Sequence, residues 1–281
     1  MYQKTVGTQA YFNTHYVDAF AGTGEINTSK DSSLLFGGIL DDEYDKELAD
    51  EIIKGSTEIA LETTPPFQSY TFIEIDKDKI SDLENRFQDH SLYPKINFLC
   101  GDANEKVKEF CQSMGTKDRA VVFLDPFGSQ VEWTTIEAIA ATEKIDLWYL
   151  FPSGVGVFRQ ISKSGDVHPT HSPSITRLYG TEDWHDAFIK PKPAPTLFDL
   201  QATENEKIVD PAVAADFMLE RMKTIFKGGV GDFKVALGKH AYPSFHLLFA
   251  WGNPSNAAIV LAKKLSKAAI TATEKNYGGS I

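Results

Sequence analysis

Cysteine is almost missing from this chain: two residues, Cys100 and Cys111, in 281. Two thiols without a metal-ligand spacing make neither a disulfide framework nor a structural metal site. The fold must therefore rest on a packed core, and the expected setting is reducing and cytoplasmic. No run of about 18 apolar residues occurs, so no membrane span and no membrane partner is expected. Residues Met1 to Gln9 lack the basic-then-apolar build of a secretory signal. Internal repeats and low-complexity tracts are absent, which excludes solenoids and arrays. So are the Gly-x-Ser-x-Gly nucleophile elbow and the P-loop, which removes two large enzyme classes.

What is present is ordinary globular material, 42% hydrophobic and 24% charged. The reading is a single domain over 1–281, interrupted by insertions at about 25–64 and 153–210. The formal net charge is −11, unevenly spread. Residues 221–281 hold nine Lys and Arg against two Asp and Glu, whereas the preceding 220 hold 19 against 37. A basic end on an acidic body is a candidate surface for nucleic acid. The competing reading is a solvated helix face carrying Lys263, Lys264 and Lys267, and the pI near 5.1 favours it.

Short apolar runs alternate with helical patterns, the signature of a parallel sheet covered by helices. The strand runs are His15–Phe20, Tyr70–Ile75, Ile96–Leu99, Ala120–Leu124 and Ile145–Phe151. Helices are expected at Lys77–Gln88, Asn104–Met114 and Val131–Thr142, with Asp76 capping the first and Asp102 or Asn104 the second. Phe233–Gly238 and Phe245–Trp251 are too close for a helical crossover, so they should pair antiparallel. Helical structure is expected at Asp42–Lys54 and Ser56–Glu62, and from Asp210-Pro211 to about Phe226. The segment Ser153–Asp210, with Pro191-Lys192-Pro193-Ala194-Pro195, reads as a lid or substrate-recognition insertion. The fold class is α/β, Rossmann-like: a mostly parallel seven-stranded sheet with a terminal antiparallel strand, the class I methyltransferase arrangement.

Ligands of such sheets bind beyond the carboxyl ends of the strands. There this chain places Asp18-Ala19-Phe20-Ala21-Gly22-Thr23-Gly24, then Glu74-Ile75-Asp76, then Gly101-Asp102-Ala103-Asn104, then Asp125-Pro126-Phe127-Gly128. Four successive strand ends carry a carboxylate. A dinucleotide would bring a pyrophosphate, poorly matched to that set. The third glycine of its fingerprint is replaced by Asn27. S-adenosylmethionine brings a sulfonium, an ammonium, ribose hydroxyls and an adenine amine, which carboxylates accept. On this reading Glu74 meets the ribose, Asp102 the adenine amine and Asp18 the ammonium, directly or through water, with Phe20, Gly22, Gly24, Ile75 and Ala103 lining the cofactor. Any one acid alone could instead cap a helix or turn.

Asp125, Pro126 and Phe127 are the candidate catalytic residues. The element is similar to the D-P-P-Y/F turn of methyltransferases acting on amino groups of bases. There an Asp carboxylate and a backbone carbonyl hold the amine while an aromatic ring stacks on the base. Asp125 to Ser129 matches the D-P-F-G-S form found in tRNA guanine-N2 dimethyltransferases. The wider series is Asp18–Gly24, Gly55-Ser56 with Ala60-Leu61, Phe72-Ile73-Glu74, Gly101–Asn104, Phe123–Gly128, Trp133 and Asp146–Pro152. It resembles the three-Cys-motif partner protein (TcmP) family from about Tyr16 to Trp251. That resemblance implies a class I fold using S-adenosylmethionine and a companion protein with a three-cysteine motif; it implies no acceptor.

Other features are weaker. Phe151-Pro152-Ser153-Gly154 could floor a substrate pocket or simply pack at a strand end. Arg159 could meet a phosphate or a carboxylate, or be an ordinary exposed arginine. Trp133, Trp148 and Trp184 could stack on a base or fill the core. His168-Pro169-Thr170-His171 is a poor metal motif, and no metal is expected. Cys111, inside a helical pattern, reads as a small buried hydrophobe. The expected function is methyl transfer from S-adenosylmethionine to an amine, in particular an exocyclic nitrogen of a nucleic-acid base. The alternative is a non-catalytic methyltransferase-like partner or nucleic-acid-binding module, and a third reading is a nicotinamide oxidoreductase.

Overall fold

The structure is a computed structural model and describes residues 2–6, 11–24, 55–192, 205–237 and 243–277. The expected helix Asp42–Lys54 and the prolines at 193 and 195 lie outside the described residues. A short helix α1 (Tyr2–Thr5) precedes β1 (Asn13–Asp18), and α2 (Ser56–Leu61) precedes β2 (Ser69–Glu74). Three β–α units follow: α3 (Lys77–Phe87), β3 (Ile96–Cys100), α4 (Ala103–Ser113), β4 (Asp118–Leu124), α5 (Trp133–Ala141) and β5 (Ile145–Phe151). Next come α6 (His171–Tyr179), α7 (Trp184–Phe188) and a small ribbon of β6 (Ile189–Pro191) with β7 (Asn205–Lys207). The chain ends with α8 (Pro211–Lys223), β8 (Gly229–Val230), β9 (Val235–Leu237), β10 (Phe245–Trp251) and α9 (Asn256–Tyr277).

The strand order is β3-β2-β1-β4-β5-β10-β8, with β9 also on β10. The first five strands are parallel, and β10 runs antiparallel to β5, β8 and β9. The chain thus has the class I methyltransferase sheet. One detail departs from the seven strands expected: the outer position is shared by β8 and β9, making eight. The backbone between them turns at Gly231, whose N–H still donates to the Phe249 carbonyl.

The local sequence explains the elements. In α3, Ile80, Leu83 and Phe87 fall on one face and are buried, and the Asp76 carboxylate accepts from the Asp78 and Lys79 amides. Asp102 caps α4 through the Glu105 amide, and Asp210 caps α8 through the Val213 amide, with Pro211 at the first turn. In β5 the buried side chains alternate as Ile145, Leu147, Tyr149 and Phe151.

The sheet is covered on both faces. Tyr70, Phe72 and Val121 pack under α2 and α3, whereas Val17, Ile73, Val122 and Leu124 join the larger core with α4, α5 and α8. Ile175, Leu178, Tyr179, Trp184 and Phe188 of α6 and α7 belong to that larger core. The described helices of the 153–210 segment are therefore part of the body. Their junction is the left-handed Gly180 (φ +67°), which ends α6 against the Trp133 ring. The Arg221 guanidinium lies 4.5 Å from the centroid of that ring and donates to the Tyr179 carbonyl. A Cβ at position 180 would penetrate the Trp133 side chain. Gly180→Val combines positive-φ strain with overpacking and should cost roughly 2–5 kcal/mol of unfolding free energy by urea titration. Unchanged stability would mean that this junction does not hold the segment to the core.

Candidate functional site

Register places the acids. Asp18 pairs with Phe72 on β2 and with Phe123 on β4. Glu74 and Asp125 each stand two residues further along, and a period of two returns them to the face of Asp18. The chain leaving β1 then bridges its neighbours: the Ala19 amide donates to the Phe123 carbonyl and the Ala21 amide to that of Ile73. β1 is also where strand order reverses, so this carboxyl edge is the switch point of the sheet.

Asp18 is fully buried. Its carboxylate accepts from the Ser56 hydroxyl at 2.5 Å and the Phe20 amide at 3.2 Å. Burial raises its pKa to about 6, against those two hydrogen bonds and with the help of Glu74. Burial, and then the charge of Asp18, raises Asp125 to about 7. Glu74 is buried too, accepting from the Gly22 amide at 3.1 Å and the Asp76 amide at 3.0 Å. Asp18 thus feels the charge of Glu74, and Asp125 that of Asp18, and for Asp18 and Asp125 the neighbouring charge favours protonation. Tyr16, also on this face, has its hydroxyl pKa raised by burial and then by Asp18 and Asp125.

The fourth acid is arranged differently. Asp102 is half-buried, and one carboxylate oxygen is committed to capping α4. Ala103 follows it at the helix start, and Ile75, beyond Glu74, is exposed. Gly22 (φ +58°) has open space where a Cβ would stand, whereas Gly24 (φ +72°) is packed against Leu83 and Thr57. Gly22 thus leaves room beside Glu74, and Gly24 seats the loop on α3. Phe20 is half-buried, its side chain packed against the larger core.

The Asp125–Ser129 turn is braced from both sides. The Phe127 amide donates to the Gln130 side chain, and Asn104 donates to the Gln130 carbonyl while accepting from Glu132 and Thr135. Ser129 donates to the Gly156 carbonyl at 2.6 Å and accepts from Gln160, which in turn accepts from Ser174 on α6. Pro126 is buried. The Phe127 ring remains 54% exposed, with the Lys79 ammonium 5.8 Å from its centroid. An exposed aromatic ring on a braced turn offers a stacking surface.

Several sequence candidates go elsewhere. Trp133 and Trp184 are buried and donate to Glu137 and Thr176, and Trp148 packs on Phe249 at 4.4 Å. None of the three is free to stack on a base, because each completes the core. Ser153 is buried with its hydroxyl 2.7 Å from His246 Nδ1, so the turn after β5 is a packing element. Burial pushes the Cys111 thiol up to about 12, as suits an inert hydrophobe. Among the described residues no group of three His, Cys, Asp or Glu side chains could hold a metal, and no helix is long and apolar enough to cross a membrane. Lys263, Lys264 and Lys267 are exposed on α9, whose Ile259, Ala262 and Leu265 pack toward Phe249 and Trp251. Sequence reasoning missed Tyr16, the Ser56 hydroxyl on Asp18 and the bracing by Gln130; only strand register and the approach of α2 bring them in.

No known family model matches the chain, and no curated protein matches it in sequence. Among solved structures it is similar to protein LPL1258 from Legionella pneumophila, of family model DUF519 (TM-score 0.47, 11% identity, 94% of this chain and 86% of that one). It is also similar to Trm1 from Pyrococcus horikoshii, solved with S-adenosyl-L-methionine (TM-score 0.40, 13% identity, 85% and 51%), of which it spans about half the length. A third is an S-adenosylmethionine-dependent methyltransferase from Clostridium acetobutylicum (TM-score 0.35, 8% identity, 89% and 88%). The fold assignment rests on strand order and direction, and the TcmP resemblance rests on the motifs.

Proposed function

We propose that the chain is an S-adenosylmethionine-dependent methyltransferase acting on an amine, specifically an exocyclic nitrogen of a nucleic-acid base. The observation that carries the reading is the convergence of Asp18, Glu74 and Asp125 at the carboxyl edge of the sheet beside the exposed Phe127. The donor set fits this cofactor: the Asp18 and Asp125 carboxylates, their pKa values raised by burial, gain from a cationic guest, and Gly22 leaves room next to Glu74. Asp18 would hold the ammonium end, Glu74 the ribose hydroxyls and the free oxygen of Asp102 the adenine amine, with Phe20, Gly24, Ile75 and Ala103 around them. S-adenosylmethionine would supply an electrophilic methyl group, carried on a cationic sulfur that leaves as a neutral thioether.

The chain's own work is positioning. Asp125 and the Pro126 carbonyl would accept hydrogen bonds from the acceptor amine, aiming its lone pair, while Phe127 stacks on the base. Asp125, titrating at about 7, is also suited to take the proton that an amine gives up on gaining a methyl group. The TcmP resemblance adds a proposed companion protein with a three-cysteine motif.

Glu74→Ala removes the acceptor for two ribose hydroxyls and unties Gly22. Calorimetric affinity for S-adenosylmethionine should fall about 10- to 100-fold while the thermal transition persists. Undiminished affinity would remove Glu74 from the cofactor site. Methyl transfer to RNA or DNA pools separates the enzyme from a non-catalytic module, which would bind the cofactor and label nothing.

A further inference from the structure

A concavity lies outside the carboxyl edge that carries Asp18, Glu74 and Asp125. It encloses about 520 Å³ and is built from the 158–163 and 207–210 stretches. Its lining includes three cations, Arg159, Lys163 and Lys207, against one acid, Asp210. Asp210 is occupied in capping α8. Among the described residues, Arg159 and Lys163 form no ion pair and both are exposed.

Lys207 is built in. Its ammonium donates to the Phe158 and Ile161 carbonyls at 2.7 and 2.8 Å and lies 3.4 Å from the Phe158 ring centroid. Those partners are neutral, so its charge is fixed in place and uncompensated. Burial, and then the nearby Lys163, lowers its pKa, a strain that an anion between them would relieve.

The concavity is tied to the turn at Asp125. Gln160, next to Arg159, donates to Ser129, and Ser129 donates to the Gly156 carbonyl. A chain laid across this surface can present a base at Phe127 and an anionic group at Arg159.

We infer that the Arg159–Lys163–Lys207 concavity binds a backbone phosphate of a single-stranded nucleic acid, placing the acceptor base at the Asp125–Phe127 turn; this rests on the reading of the acceptor as a nucleic-acid base. The exposed lysines of α9 lack such a built cradle: Lys263, Lys264 and Lys267 are solvated, with no fixed ammonium among them.

The test is fluorescence-anisotropy binding of a short labelled oligoribonucleotide to the full chain, without cofactor, across a salt series. Arg159→Ala/Lys163→Ala spares Lys207, which braces the fold. Its dissociation constant should rise at least about tenfold, and the slope of log affinity against log salt should fall by roughly 0.7, one single-strand phosphate contact. Lys263→Ala/Lys264→Ala should leave both quantities unchanged. Unaltered binding by the first variant, or loss confined to the second, overturns the inference. So does displacement of inorganic phosphate, but not of the oligonucleotide, by the Arg159 and Lys163 changes. Because the readout needs no turnover, failure to find any methyl acceptor would strike the proposed function while leaving this phosphate site standing.

Discussion

Asp125→Asn should lower methyl transfer by at least about 10²-fold while leaving S-adenosylmethionine bound. The substitution keeps the size of the side chain but replaces one acceptor oxygen with a donor, which faces the acceptor amine's own hydrogens. Asp18 keeps its pKa of about 6, which burial raises against its hydrogen bonds to Ser56 and Phe20 and with the help of Glu74. Cofactor affinity near neutral pH should therefore hold. Single-turnover assays with saturating acceptor and calorimetry on the same preparation read the two effects separately. Equal turnover in mutant and wild type would remove Asp125 from the reaction. A parallel loss of cofactor binding would make it a cofactor residue instead.

Affinity for S-adenosylmethionine should climb as pH rises from about 5.5 to 8, by roughly 10- to 100-fold, and then level off. Asp18 and Asp125 are raised from 3.8 to about 6 and about 7, each chiefly by burial. The folded apo protein thus holds protons that the unfolded chain has already lost. The stability they contribute is complete below about pH 4 and disappears as pH rises through 6 and 7. A cationic guest favours the ionised carboxylates, so binding in that window must release protons. Calorimetry near pH 6.5 in two buffers of different ionisation enthalpy measures the number released. Affinity independent of pH, or proton uptake, would mean that these carboxylates do not face the cofactor.

Much of this site was legible because acids at strand ends interrupt apolar runs. Asp18, Glu74 and Asp125 were expected at the carboxyl edge, and the register of β1 with β2 and β4 puts them there. β1 begins two residues earlier than its apolar pattern, because polar Asn13 and Thr14 pair with Asp118 and Arg119. Tyr16 was illegible: a tyrosine in an apolar run reads as core until a neighbouring strand brings Asp125 close. The aromatic residues of 153–210 suggested recognition, yet Trp184, Tyr179 and Phe188 are buried, since α6 and α7 complete the main core. The left-handed turn at Gly180 makes that packing possible, and no periodicity announces it. Lys207 and Arg159 lie far apart in sequence, so their concavity becomes visible only when the Lys207 ammonium is seen bound to the Phe158 and Ile161 carbonyls.

The deciding measurement is a paired calorimetric titration of the full chain at pH 7.5 with S-adenosylmethionine and with NADH. A carboxyl edge carrying Asp18, Glu74 and Asp125 should bind the sulfonium compound saturably, one per chain, and reject the pyrophosphate-bearing dinucleotide. Saturable binding of NADH with none of S-adenosylmethionine would contradict the account at its base.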